Sequence, residues 1–366
     1  MQTNNLKTWC NIDLDAIAHN YNYIKSRTDI RVIAVVKANA YGHGALSVSA
    51  RLEKEGCDFF AVSSIEEALE LRNSGITADI LVLGYILPGM LKTAVDNNIS
   101  FAISSLDTLL ELGKICSDKK AKIHIKLDTG MNRTGFCAKE KVIDDELKKA
   151  VDLIKNSKNI ELCGVFSHLA KADSDQSFCQ LQYERYLFAL DFIKKNGLEP
   201  KLCHICNSDA TDNFKEMHLD AVRTGIILYG LGSDDKNYIP AMDFCTRIVA
   251  IHNVKAGEGI SYGHTFIAPK DMKIAIIGAG YADGLLRYLS NGKGKVLVNG
   301  VLCPIVAKIC MDMSMIDISD IQNVQVGDTV TLWGKDLRCD IQAKNADTIP
   351  YELICGITPR VTRVYG

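Results

Sequence analysis

The sequence predicts an α/β chain: a (β/α)8 barrel of the TIM type followed by a β-rich C-terminal domain. In the first two thirds of the 366 residues, eight short apolar runs alternate with amphipathic helical patterns. Beyond residue 240 the helical period disappears, and strands follow one another through turns, as in KIAIIGAGY, KGKVLVNGVLCPIV and DTVTLWG. The length itself suggests two domains, at roughly 100–200 residues each. The boundary is placed at 240, with the barrel over 1–240 and the β-rich domain over 241–366.

In chain order, Leu14, Ile17, Tyr21 and Ile24 recur on one face of an opening helix. The first strand is 31–37 (RVIAVVK), followed by the small, glycine-rich stretch ANAYGHG. Strands at 58–62, 80–83 and 100–103 come next. Between them, Ser64-Ile65-Glu66-Glu67 reads as a capping box for a helix carrying Ala68, Leu69 and Leu71. Ser105 opens another helix, with Leu106, Leu109, Leu110 and Leu112 behind it and Gly113 at its end. Strands at 122–128, 162–167, 201–206 and 221–228 complete the eight. An open doubly wound sheet fits the same alternation. In the second domain, Asn299-Gly300 between apolar runs signals a two-residue hairpin.

Composition narrows the function. Forty-seven per cent hydrophobic and 23% charged residues describe an ordinary globular protein, and a net charge of −2 excludes the broad basic field of a nucleic-acid binder. The start is polar with no apolar run behind it, and the longest apolar stretch, 80–91, is too short for the about 18 residues of a membrane span. Most of the thirteen cysteines sit in apolar runs, as reduced thiols of the cytoplasm do. Cys203 and Cys206 have C-x-x-C spacing but lie along one short strand, which makes them core residues. No histidine pair has metal-ligand spacing, and no metal site is assigned.

Barrels place their chemistry at the C-terminal ends of the strands. Those ends carry Lys37 after VIAVV, Arg133 after KLDTGMN, His168 after GVFS, Ser208 after CHICN, and Arg223-Thr224-Gly225-Ile226 in the eighth segment. A lysine emerging from a buried strand loses solvation, which favours a neutral amine able to form a Schiff base. The turn at 223–226 offers backbone N–H groups of the kind that hold phosphate. Barrel, embedded lysine and phosphate turn together suggest pyridoxal phosphate. The motif Gly278-Ala279-Gly280-Tyr281-Ala282-Asp283-Gly284 competes as a dinucleotide fingerprint, but its G-x-G-x-x-x-G spacing is one residue off and no helix pattern follows.

On these residues the chain resembles the alanine racemase family of fold-type III pyridoxal-phosphate enzymes, from WCNIDL near its start to RVTR near its end. In AVVKANAYGHGA, the resemblance implies that Lys37 carries the Schiff base and that Tyr41 contacts the phosphate. LDTGMNRTGF implies a substrate-carboxylate role for Arg133, with Lys126 just upstream at a position often carboxylated by carbon dioxide. SHLAKAD makes His168 a stacking and relay residue, NSDA puts Ser208 on the cofactor, and VRTGIILYGL does the same for Arg223, Gly225 and Ile226. SYGHTF implies that Tyr262 is the second catalytic base. ICMDMSMIDI implies that Met311 and Asp312 face the substrate, and GYADGLLR that Tyr281 gates the entrance.

The implied reaction interconverts L- and D-alanine by a two-base mechanism, supplying D-amino acid for peptidoglycan. Lys37 serves the D-isomer and Tyr262 the L-isomer, with His168 and Arg223 stabilising the phenolate. The implied assembly is a head-to-tail homodimer in which the second domain completes the partner's site. One departure is Pro359, which stands where several family members carry a tyrosine. A smaller wall there points to the related serine racemases of vancomycin resistance as the alternative. Two other readings are a non-catalytic pyridoxal-phosphate carrier, whose chains lack a second domain, and a basic-amino-acid decarboxylase, whose specificity loop is not found here.

Overall fold

The computed structural model describes residues 3–115, 117–140 and 142–366. It divides into two compact units, one formed by Tyr21–Ala40 and Val48–Leu228, the other by Met1–Asn20, Tyr41–Ser47 and Tyr229–Gly366. Compactness therefore partitions the chain differently from a linear cut, because two short N-terminal stretches group with the C-terminal strands.

The first unit is a closed parallel barrel. Its strands are Arg31–Val35, Phe59–Val62, Asp79–Val82, Ser100–Ile103, Ala121–Asp128, Ile160–Phe166, Leu202–His204 and Ala221–Thr224, the first seven paired in succession. Pairing of Ala221–Thr224 with Arg31–Val35 makes the ring. Hydrogen bonds from Asp220 N to Cys203 O and from Arg223 N to Cys206 O, both 3.0 Å, tie the seventh strand to the eighth. The open doubly wound alternative is thereby excluded. Strands such as FFAV and SFAI are buried at every residue, as sheets covered on both faces require.

The surrounding helices follow their sequence signals. In Leu14–Arg27, Ile17, Tyr21 and Ile24 are all buried. Ser64 Oγ accepts from Glu67 N at 3.4 Å to cap Ile65–Asn73, and Ser105 Oγ accepts from Thr108 N at 3.5 Å to cap Leu106–Leu112. Three barrel strands end two or more residues earlier than their apolar runs suggest. The first stops at Val35, the seventh stops at His204 and so holds Cys203 but not Cys206, and the eighth gives way after Thr224 to a 3-10 turn over Ile226–Tyr229.

In the second unit, six antiparallel strands close on themselves: Met272–Ile277, Ser314–Asp317, Val301–Val306, Lys295–Val298, Thr329–Trp333 and Met242–Val254, the last pairing back to the first. Asn299 and Gly300, at φ 49° and 78°, make the hairpin turn. The glycine motif at 278–284 follows a strand of this antiparallel sheet and leads into a 3-10 turn, Tyr281–Asp283, so the strand-then-helix setting of a dinucleotide site is missing. Thr8–Ile12, to which the sequence reading assigned no strand, pairs with Met242–Val254 on one side and Thr362–Tyr365 on the other. Among the described residues, no helix is long and apolar enough to cross a membrane.

Candidate active site

Because the barrel strands are parallel, the residues that follow them gather at one rim. Lys37 comes two residues after the first strand and opens an unusual turn. Ala38, Asn39, Ala40 and Tyr41 all have positive φ, between 51° and 54°, a left-handed run with no glycine in it. Such backbone costs about 1–2 kcal/mol per residue for an L-amino acid, so something must hold it. Glu67 does: its carboxylate accepts from Ala38 N at 2.6 Å, Ser63 N at 2.7 Å and Ser63 Oγ at 2.9 Å. The capping-box expectation is corrected here. Glu67 spans Ser63 and the turn after Lys37 instead of closing on the Ser64 amide.

Arg223, buried in the eighth strand, makes five hydrogen bonds. It donates to His204 Nδ1 (2.8 Å), His204 O (3.1 Å), Ser167 O (2.7 Å), Ile205 O (3.1 Å) and His168 Nδ1 (3.2 Å). Phe166 lies beneath, its centroid 5.4 Å from the guanidinium and 5.7 Å from Lys126 Nζ. Burial lowers Arg223 to about 10, which leaves it charged at neutral pH. His168 is held well below the usual imidazole range, first by burial and then by Arg223, Arg133, Lys37 and Lys126. Since a guanidinium only donates, the neutral His168 carries its proton on Nε2.

Lys126 belongs to the same group. Burial and then the charges of Arg133, Arg223 and Lys37 push it down to about 8, against the pull of Asp128. Arg133 lies exposed on the loop after the fifth strand. Four cations thus act on one neutral histidine at this rim, a field suited to a ligand bearing phosphate and carboxylate. Nearby, the buried Ser208 Oγ accepts from Gly225 N at 2.9 Å, joining the loops after strands seven and eight, and Ile226 opens the following 3-10 turn. Cys203 and Cys206 are buried thiols pushed up to about 11 and about 12, burial being the main cause.

The remaining sequence candidates lie in the other unit. Tyr41 is buried, its ring 5.0 Å from that of Tyr229 and 5.8 Å from that of Tyr351. Tyr262 is 71% exposed on a 3-10 turn; the preceding residue, Ser261, donates through Oγ to Lys308 O at 3.0 Å. Tyr281 N and Ala282 N donate to Cys310 O and Met311 O, both at 3.0 Å. Arg360 clamps this edge, donating to Asp283 Oδ1 (2.7 Å) and Asp312 Oδ1 (2.8 Å). Tyr281, Met311 and Asp312 are therefore stitched together, and the Lys308–Cys310 stretch leads back to Tyr262.

Sequence reasoning missed Glu67 as the anchor of the lysine turn, Arg360 as a clamp, and Gln182. Buried Gln182 donates to Thr129 Oγ1 and His168 O, both at 3.1 Å, and accepts from Ala170 N at 2.8 Å, so one side chain fixes the loops after strands five and six. Only Glu67 had a visible signal, and it was read as a cap.

Comparison with known proteins agrees with this geometry. Residues 12–233 match the alanine racemase N-terminal domain family, and residues 241–365 match the alanine racemase C-terminal domain family. The chain is 44% identical over 368 residues to alanine racemase 2 of Caldanaerobacter subterraneus subsp. tengcongensis, covering 97% of this chain and 93% of that one. It is 41% identical over 372 residues to the alanine racemase of Methanococcus maripaludis, covering 98% of both. Among solved structures, the alanine racemase of Clostridium difficile 630 superposes with a TM-score of 0.93 at 37% identity, over 99% of this chain and 96% of that one. With a barrel, a β-rich domain and both family matches in sequence order, the chain belongs to the alanine racemase family, pyridoxal-phosphate-dependent isomerases of fold-type III.

Proposed function

We propose that the protein interconverts L- and D-alanine with pyridoxal phosphate held on Lys37, and that Lys37 and Tyr262 move the α-proton on opposite faces. The donor set fits the cofactor. Lys37 offers an amine for its aldehyde, the Ser208 hydroxyl and the Gly225–Ile226 backbone offer contacts for its phosphate, and Arg223 offers a cation for its ring nitrogen. When bound, pyridoxal phosphate supplies an electron sink that makes the α-proton of an amino acid labile.

The rest is done by the chain's own groups. Arg133 pairs with the substrate carboxylate, and Tyr41 adds a contact to the cofactor phosphate. Arg223 stays charged at neutral pH and, facing the ring nitrogen of bound pyridoxal phosphate, would disfavour a proton there, which would favour return of the α-proton over side reactions. His168, bound to Arg223 through Nδ1, has its Nε2–H free to donate to a phenolate. An unperturbed phenol titrates at about 10, so a tyrosine base at neutral pH needs such a donor. In the proposed head-to-tail homodimer, residues 241–366 bring Tyr262, Met311, Asp312 and the gate residue Tyr281 to the barrel rim of the partner subunit. Lys126, when neutral, accepts carbon dioxide, and the resulting carbamate steadies Arg133.

The cationic rim around a neutral, Arg223-bound His168 is the observation that carries this reading. Alanine is favoured over serine because the relatives described above are alanine racemases. The D-alanine formed would feed peptidoglycan synthesis. Chiral analysis of products from a panel of L-amino acids, with pyridoxal phosphate present, tests the proposal. It expects D-alanine to form fastest; no D-product from any substrate would contradict it.

A further inference from the structure

Behind Arg223 the barrel interior contains a histidine pair that no step above uses. His204 Nε2 lies 3.2 Å from His124 Nδ1, and both rings are fully buried. The direction of every hydrogen bond follows from Arg223. A guanidinium has no acceptor, so His204 Nδ1, 2.8 Å from Arg223 Nη1, bears a lone pair. A neutral imidazole has one N–H, which in His204 must be on Nε2 and must donate to His124 Nδ1. His124 then carries its proton on Nε2. Burial supports neutral rings by holding His204 well below the usual range and His124 at about 3, with Arg223 adding to both and Arg31 to His124.

The barrel makes room for this arrangement. Strand pairing shifts register between Ile123 and His124, and residue 164 on the neighbouring strand is glycine, where any Cβ would overlap the His124 ring. Phe59 and Phe166 present edges to His124 at 6.1 and 6.5 Å. On its far side His124 lines a cavity of about 150 Å³ together with Arg31, Asp79, Lys122, Glu161 and Lys201.

We infer that His124 is a positioning residue for the racemisation: its Nδ1 lone pair accepts the Nε2–H of His204, and His204 so held helps seat the Arg223 guanidinium. Without the lone pair, His204 Nε2–H is buried with no acceptor. Moving the proton to Nδ1 relieves that loss but aims an N–H at Arg223. Either way Arg223 loses the shortest of its ring contacts, one of the five hydrogen bonds that seat it. The inference rests on the reading that Arg223 faces the cofactor ring.

Two variants separate hydrogen bonding from shape. His124→Leu removes the acceptor, whereas His124→Asn places an amide oxygen near the position of Nδ1. In the loaded enzyme, His124→Leu should lower kcat about tenfold with KM for L-alanine within about twofold, and shift the absorbance of the bound cofactor. His124→Asn should restore both the rate and the spectrum. Parent-like behaviour of both variants overturns the inference, and so does equal impairment of both. Nitrogen-15 spectra of histidine-labelled parent holoenzyme supply a reading that needs no variant to fold. They should show His204 protonated on Nε2 and bare on Nδ1, and the opposite tautomer would also overturn the inference. Those spectra are read whether or not the protein racemises alanine, so an error about the function is distinguishable from an error about His124.

Discussion

Lys126 is a strand lysine pressed by three other cations, and its chemistry follows from that crowding. Its folded value of about 8 lies below the about 10.4 of a solvated lysine. Between these values the folded protein has released a proton that the unfolded chain still binds, so the contribution of Lys126 to stability rises with pH across that window. Below it, the buried charge is a cost. Lys126→Met should therefore raise Tm at pH 7 by about 2 °C in cofactor-free, bicarbonate-free buffer. Above pH 8 the neutral amine can take up carbon dioxide, turning a repelled cation into an anion that pairs with Arg133. Bicarbonate should then raise Tm in the parent and leave Lys126→Met unchanged. Calorimetry at two pH values checks both signs, and a bicarbonate effect that survives in the variant would remove the carbamate.

Among the elements, the turn after Lys37 decides most. Four left-handed residues without glycine are held in part by Glu67, which accepts from the first of their amides. Glu67→Ala removes the acceptor for two backbone amides and one hydroxyl. It should lower stability by about 1–2 kcal/mol, less than for buried bonds because solvent reaches these groups, and weaken cofactor binding about tenfold. Equilibrium dialysis against pyridoxal phosphate measures the second effect, and unchanged affinity would show that the turn holds itself. This element also marks where sequence reading stops. The apolar run RVIAVV, the glycines of ANAYGHG and the lysine between them were legible because burial and turn chemistry are local. A left-handed path through Ala-Asn-Ala-Tyr was not, since no residue in it prefers that region. Likewise, KIHIKLD and CHIC read as strands, but nothing local says that two histidines 80 positions apart meet inside the barrel. Thr8–Ile12 was invisible for a related reason: its partners lie more than 200 residues away along the chain.

At the scale of the whole molecule, the order of elements gave the architecture, and long-range pairing gave what the order could not: closure of the barrel and the grouping of N-terminal stretches with the C-terminal strands. The site proposed here draws on both ends of the chain, with Lys37 and Arg223 in the barrel unit and Tyr262 exposed on the β-rich one. If Tyr262 serves the partner's barrel, Lys37→Ala and Tyr262→Phe homodimers should each be nearly inactive. Subunit exchange between them should restore activity, to about a quarter of the parent's if half the dimers are mixed and each has one intact site. Exchange verified by mass with no activity regained would place Tyr262 elsewhere.

The central claim is narrower than the assembly: Lys37 is the residue that holds pyridoxal phosphate. Borohydride reduction of the loaded protein, followed by peptide mapping, tests it in one measurement. The account predicts a pyridoxyl group on Lys37 alone; finding it on Lys126 or Lys171, or on no lysine, would contradict the account.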